Sequence, residues 1–259
     1  MRTRFVILFF LLPGFGYLRL GQTKSFYASI ILLYSIIFCG SLFKLFPAFA
    51  GFVSIAFFIS VLHFGTAFHA ILKRKELKGS QNHSGLKIAI TGILLLVTVT
   101  CFGNSATIMG FDRVSMAVPV MEPTIRTGEQ LLVDTWIYSS KQPRREDIIL
   151  HRFAGQKGAY LNRIIGTPGD IVEIRNGTLY INGKSQIEDY VLPANAERAE
   201  SRQLQRIKVP SNSYFVMGDN RDKSFGDSRF SGMVKLDDIK GKITCILYST
   251  EMSRIGKYQ

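Results

Sequence analysis

The chain has 259 residues, enough for one or two domains, a formal net charge of +13 and 47% hydrophobic residues. Of its 32 Lys and Arg and 19 Asp and Glu, ten basic residues and one acidic residue (Glu76) fall in residues 1–103, so the later part is nearly balanced. A basic excess beside apolar segments is a membrane-topology pattern, and it argues against a nucleic-acid partner, which would draw the charge onto a soluble domain carrying a recognition motif.

The first apolar stretch, about 5–17, is short and broken by Pro13-Gly14-Phe15-Gly16. A membrane crossing needs roughly 20 apolar residues, so this reads as a re-entrant or interfacial segment. No small-residue cleavage pattern follows it, which argues against a removed leader. Three longer runs, about 26–43, 48–72 and 88–103, read as membrane spans. Between the last two lie Lys73, Arg74, Lys75, Lys78 and Lys87. By the positive-inside rule this loop is cytoplasmic, and the third span delivers the rest of the chain to the outer face of a cytoplasmic membrane. Lys44, between the first two spans, is the one dissenting charge. His63 and His69 lie inside the second span and read as structural rather than functional. Residues 1–104 therefore form a multi-span α-helical membrane region with lipid as its partner.

From about residue 113 the pattern changes to short Val-, Ile-, Leu- and Tyr-rich runs separated by Gly, Pro, Asn and Asp. Strands are predicted at 130–133, 147–152, 160–165, 171–175, 178–181, 214–217 and 242–248. Asn176-Gly177 is a strong hairpin signal between two of them. Residues 184–207 are polar with little periodicity and read as an exposed insertion. Trp136-Ile137-Tyr138 suits either a membrane interface or a strand end packed in the core. Residues 105–259 are thus expected to form a mainly-β extracytoplasmic domain. Cys39, Cys101 and Cys245 have no ligand spacing, and the four His are scattered, so no metal or cofactor is expected.

Four blocks carry a resemblance. They are Met121-Glu122-Pro123-Thr124, Arg145 to Leu150, Asn162 to Asp170 (NRIIGTPGD), and Gly218 to Arg229 (GDNRDKSFGDSR). Together they resemble the type I signal peptidases, membrane-anchored serine endopeptidases that remove signal peptides from exported proteins. The resemblance implies a signal-peptidase-like β domain in which a Ser hydroxyl attacks the scissile carbonyl and a neutral Lys takes its proton. Carried over residue by residue, the nucleophile position is Val120, the base position Asn162 and the oxyanion-donor position Val118. Valine has no nucleophilic atom, and an asparagine amide accepts no proton at neutral pH. By the same resemblance Ser224 would orient the base, and Asp227 with Arg229 would brace the last block. Phe225 and Gly226 separate Ser224 from Asp227, one residue more than the family has.

The resulting expectation is a protein without peptidase activity that binds signal peptides, or an active signal peptidase, as its partner. Its groove would take an extended peptide as an added strand, with Met121 and Pro123 among its residues and Val118 and Val120 as an apolar floor. Two alternatives stand beside it. One is an active signal peptidase using Ser115 or Thr124 with His151. The other is a docking protein whose groove is filled by a side chain such as Phe225.

Overall fold

The computed structural model describes residue 17 and residues 22–43, 45, 49–72, 93, 100, 104–153, 155 and 158–257. The chain divides into two compact units, Met1–Gly110 and Phe111–Gln259.

In the first unit, α1 (Thr23–Leu42) and α2 (Phe49–Leu72) are apolar on nearly every side. Their hydroxyls do not compete with the helix. Ser29, Ser35, Ser54 and Ser60 each donate to the carbonyl four residues back, which satisfies them without water. Phe26, Ile30, Leu33, Ile37 and Ile55 are buried, whereas Ile31, Phe38, Phe57, Phe64 and Phe68 are exposed. Large exposed apolar side chains on this scale suit a lipid solvent better than water. Among the described residues one helix, Lys24–Ser41, is long and apolar enough to cross a membrane, and Ala50–Thr66 is apolar but shorter. Among the described residues, the multi-span expectation is matched by this one qualifying helix. The span expected at 88–103 lies outside the described residues except Ile93 and Thr100, and the segment at 5–17 lies outside them except Tyr17. Tyr17 donates its hydroxyl to Nδ1 of His69, so His69 has a structural partner. A four-residue helix, α3 (Ser105–Ile108), follows.

The second unit is mainly β. A seven-stranded antiparallel sheet contains, in spatial order, β1 (Phe111–Ser115), β2 (Gln130–Asp134), β11 (Ile239–Tyr248), β3 (Ile148–His151), β4 (Tyr160–Gly166), β9 (Ser213–Met217) and β10 (Val234–Lys235). A four-stranded sheet has the order β7 (Lys184–Ser185), β6 (Thr178–Ile181), β5 (Ile171–Arg175) and β8 (Leu204–Lys208). The β5–β6 hairpin turns at Asn176-Gly177, both at positive φ, the geometry that this dipeptide favours. Its alternation puts Val172, Ile174, Leu179 and Ile181 inside, against Phe215 and Met217 of the larger sheet. Burying each such side chain contributes about 1.5–3 kcal/mol. A second cluster, built on Met121, Leu131, Val133, Ile148, Leu161 and Ile243, lies under the turn that follows β1.

Three segments depart from the sequence expectation. Residues 184–207 are not wholly an insertion, because β7, a short helix α4 (Ala199–Arg202) and β8 lie in or extend from this stretch. The signal for β8 was hidden by a bulge. Val172 and Ile174, two apart, pair with Ile207 and Leu204, three apart, which spoils the period of two. The strand β1 was missed because Asp112 and Arg113 break up its apolar positions, as an edge strand allows. Ile137–Ser139 is a 3-10 turn rather than a strand end, and Tyr138 donates its hydroxyl to buried Asp147.

Candidate functional site

Two of the sequence blocks meet through their backbones. After β1 the chain runs extended through Val118 into a 3-10 turn, Pro119–Met121. Pro119 presets the first φ of the turn, and fully buried Met121 anchors it in the core. The Asn220 N–H donates to the Val120 carbonyl at 3.0 Å, tying the turn to the loop 218–229. Only glycine fits at 218. A Cβ there would lie 2.5 Å from the Val120 oxygen and 2.4 Å from the Ser224 hydroxyl.

Ion pairs hold the surrounding loops. Arg163 on β4 makes a two-pronged pair with Asp219, at 2.8 and 2.6 Å, and both side chains are buried. The Thr124 hydroxyl donates to the same carboxylate, and Arg163 also donates to the Glu146 carbonyl and stacks over the Tyr190 ring. Asp227 accepts from the Gly218 and Arg229 amides and pairs with the Arg229 guanidinium at 2.8 Å. Arg229 in turn donates to the Arg221 and Ser224 carbonyls, so the pair fixes the path of the loop. At the end of β4, Asp170 accepts from Arg145, from Asn182 and from the backbone and hydroxyl of Thr167. Burial alone raises a carboxyl, but here the Arg145 and other hydrogen bonds outweigh it and hold Asp170 at about 2.

Beside the turn lies a cavity of about 540 Å³, walled by Val114, Met116, Leu150 and Leu161 and rimmed by Phe225. Val118, Val120, Asn162 and Ser224 all line it. Val118 is exposed, Val120 half-buried, and Asn162 and Ser224 are buried. The cavity adjoins β1, one of the two edge strands of the larger sheet, so a row of backbone groups is open to pairing there. Asp227 and Arg229 do not line the cavity but support its loop from outside. Met121 and Pro123, expected in the groove, do not line it either. Met121 is wholly in the core, and Pro123, after a cis peptide bond, faces a separate cavity with Thr124, Arg163 and Tyr190.

The alternative hydroxyls are spread apart. Ser115 lines the cavity on β1, whereas Thr124 is engaged with Asp219 on the other side of the turn. His151 bonds neither. Its Nε2–H donates to Asn162 Oδ1 at 2.8 Å, and Asn162 Nδ2 donates to the Ser224 hydroxyl at 3.4 Å. This buried chain of three side chains was not anticipated, because it depends on the β3–β4 register, in which His151 sits opposite Tyr160 and diagonal to Asn162. The His151 ring is fully buried, edge-on to Phe153 and stacked near Tyr160. Among the described residues no group of three His, Cys, Asp or Glu could hold a metal ion.

Burial pushes the His151 pKa down, against the opposing pull of its Asn162 hydrogen bond, of the Arg152 backbone and of Asp238 and Asp227. The folded state therefore binds fewer protons than the unfolded state as pH falls below the unfolded value of about 6.5, so stability drops on acidification. Melting curves of the full chain between pH 8 and pH 5, read at the single tryptophan, Trp136 of the β unit, are expected to show this loss. His151→Phe is expected to flatten it, and an equally steep acid limb in that variant would assign the loss elsewhere.

Comparison with known proteins points to one family. A signal peptidase I P of Bacillus subtilis subsp. natto is 34% identical over 143 residues, covering 53% of this chain and 77% of that protein. A signal peptidase I of Bacillus caldolyticus is 38% identical over 132 residues, covering 48% and 71%. Among solved structures, a signal peptidase I of Enterococcus faecalis is 38% identical and covers 40% of this chain and 98% of that one, with a TM-score of 0.35. The family model described as signal peptidase, peptidase S26, matches residues 88–248, which include the turn at Val120, the Asn162 strand and the loop 218–229, and the chain belongs to that family.

Proposed function

We propose that this chain is a signal-peptidase-like membrane protein that binds the signal peptides of exported proteins without cleaving them. The observation that carries this reading is the open cavity whose wall holds Val118, Val120 and Asn162 together. The space and the edge strand for an extended peptide are present, while the three positions that the family resemblance makes catalytic carry no nucleophile, base or hydroxyl. Phe225 is 59% exposed at the rim and does not fill the cavity, which disfavours a closed docking surface. The active-enzyme alternative needs Ser115 or Thr124 within reach of His151. Their positions offer it no support, since His151 lies behind Asn162 and Thr124 faces away. Lipid anchors the chain through its apolar helices in a cytoplasmic membrane, with the β unit on the outer face. An active signal peptidase is the protein partner to which bound peptides would pass.

The test uses the full chain in detergent. A fluorescein-labelled synthetic signal peptide is expected to bind saturably, and an exported precursor is expected to remain intact on incubation. Absence of saturable binding would remove the binding half of the reading. Precursor cleavage that disappears in Ser115→Ala, Thr124→Ala or His151→Ala would replace the proposal with the substituted active site.

A further inference from the structure

Asn162 is 1% exposed, yet it forms part of the cavity wall. Its two polar atoms are used unequally. Oδ1 accepts the short bond from His151, while Nδ2 carries two hydrogens and makes one long contact, 3.4 Å, to Ser224. The other Nδ2 hydrogen has no partner among the described residues. A buried amide hydrogen without an acceptor is costly, so a group that can accept it gains by entering the cavity.

The orientation of the amide follows from the histidine. His151 Nδ1 is buried and makes no hydrogen bond of good geometry, although the Arg152 backbone lies near enough to pull the ring's pKa up. If that nitrogen carried the proton, a buried N–H donor would be left unmade. With the proton on Nε2, Nδ1 is only an unfilled acceptor, and the donor is used on Asn162. The tautomer with hydrogen on Nε2 is therefore favoured, and it requires Oδ1 of Asn162 to face His151. That turns Nδ2 toward Ser224 and the cavity. Phe153 and Tyr160 hold the ring in place, and Gly226 lets the loop pack directly on Tyr160, since a Cβ there would lie 2.6 Å from its ring. The residue pair Phe225-Gly226 that lengthens this loop thus also packs the histidine's neighbour.

We infer that Asn162 is a hydrogen-bond donor subsite for one main-chain carbonyl of the bound peptide, and that His151 is the positioning residue that fixes its amide. This rests on the peptide-binding reading above. It changes the role of position 162 from proton transfer to recognition. The ligand class follows from the surroundings. A neutral donor among mainly apolar lining residues next to an open strand edge fits the carbonyl of an extended, uncharged peptide segment better than an anion, because the one cation on the wall, Lys223, is solvent-exposed.

The experiment measures binding of the labelled signal peptide to the full chain, first with a set of peptides each carrying one thioamide in place of a backbone amide. Sulfur is the weaker acceptor, so the wild type should bind several-fold more weakly at each position whose carbonyl it uses, one of which is the position facing Asn162. Substitution at that position should have no effect on Asn162→Leu, which is itself expected to bind the parent peptide about 3–10-fold more weakly. His151→Leu should match that loss; because it also removes a buried ring and leaves Asn162 Oδ1 unpaired, binding is compared at a temperature at which its melting curve shows it folded. His151→Gln, which keeps a donor, should stay within about twofold of wild type. A merely structural histidine would not show this rescue. Thioamide effects that are the same in wild type and Asn162→Leu would overturn the inference while leaving peptide binding intact. Failure of the wild type to bind the parent peptide would overturn both. The thioamide series on the wild type needs no variant to fold.

Discussion

Asp219→Ala is expected to destabilise the β unit by about 3–5 kcal/mol, one of the two largest effects that the structure implies. Both members of the Arg163–Asp219 pair are almost fully buried, at 4% and 1% side-chain exposure. Removing the carboxylate leaves a guanidinium in a low-dielectric interior, with its desolvation cost no longer offset. The Thr124 hydroxyl loses its acceptor at the same time. For a unit of this size that loss lowers the melting temperature by roughly 10 °C. Replacing both partners, as Arg163→Met with Asp219→Leu, is expected to recover most of it, since no charge then stays buried. The measurement is thermal unfolding of the full chain followed at Trp136. A loss below about 1 kcal/mol for Asp219→Ala would show that the guanidinium reaches water by local rearrangement. The effect should extend to peptide binding, because Asn220, next to Asp219, is tied to Val120.

The second large effect concerns chemistry. On the reading proposed above, Val120→Ser with Asn162→Lys is expected to convert an inert protein into a slow peptidase. Position 162 is buried enough to keep a lysine amine neutral, as a base there must be. Position 120 sits on the same cavity wall. Val118 still offers no hydroxyl to the developing oxyanion, and absence of one such donor costs on the order of 10²–10³ in rate. The triple variant with Val118→Ser is therefore expected to cleave about 10²-fold faster than the double variant. Single-turnover cleavage of an exported precursor reads both. Equal rates for double and triple variants would remove position 118 from the oxyanion role. An inactive triple variant would show that the loop lengthened at Phe225-Gly226 has altered the site.

The family blocks persist here mainly where they hold the fold together. Asp170 ties Arg145 to the turn after β4, Arg163 ties β4 to Asp219, and Asp227 with Arg229 shapes the loop below the cavity. None of these contacts needs a nucleophile. Val118, Val120 and Asn162 line the cavity instead, Val120 packing against the core cluster beneath the turn and Asn162 bonding His151.

Much of this architecture was legible in the residues themselves. Apolar runs of sufficient length, the Asn176-Gly177 turn and the alternation in β5 and β6 are local signals, each readable within a few residues. The identities at 118, 120 and 162 were equally plain once the neighbouring blocks were recognised. What the sequence alone could not determine was anything that depends on register or on contacts between distant segments. The bulge opposite β5 hid β8, because one extra residue shifts the period. Met121 closes the 3-10 turn and Pro123 lies two residues beyond it, yet one points into the core and the other to a separate cavity, since the chain leaves the helical path at the extended Glu122. The contact between His151 and Asn162, eleven residues apart, exists only because β3 and β4 pair as they do. That pairing is a tertiary decision, made by burial of Ile148, Leu150 and Leu161 on the core side of the sheet, and it brings the imidazole and the amide within 2.8 Å of each other.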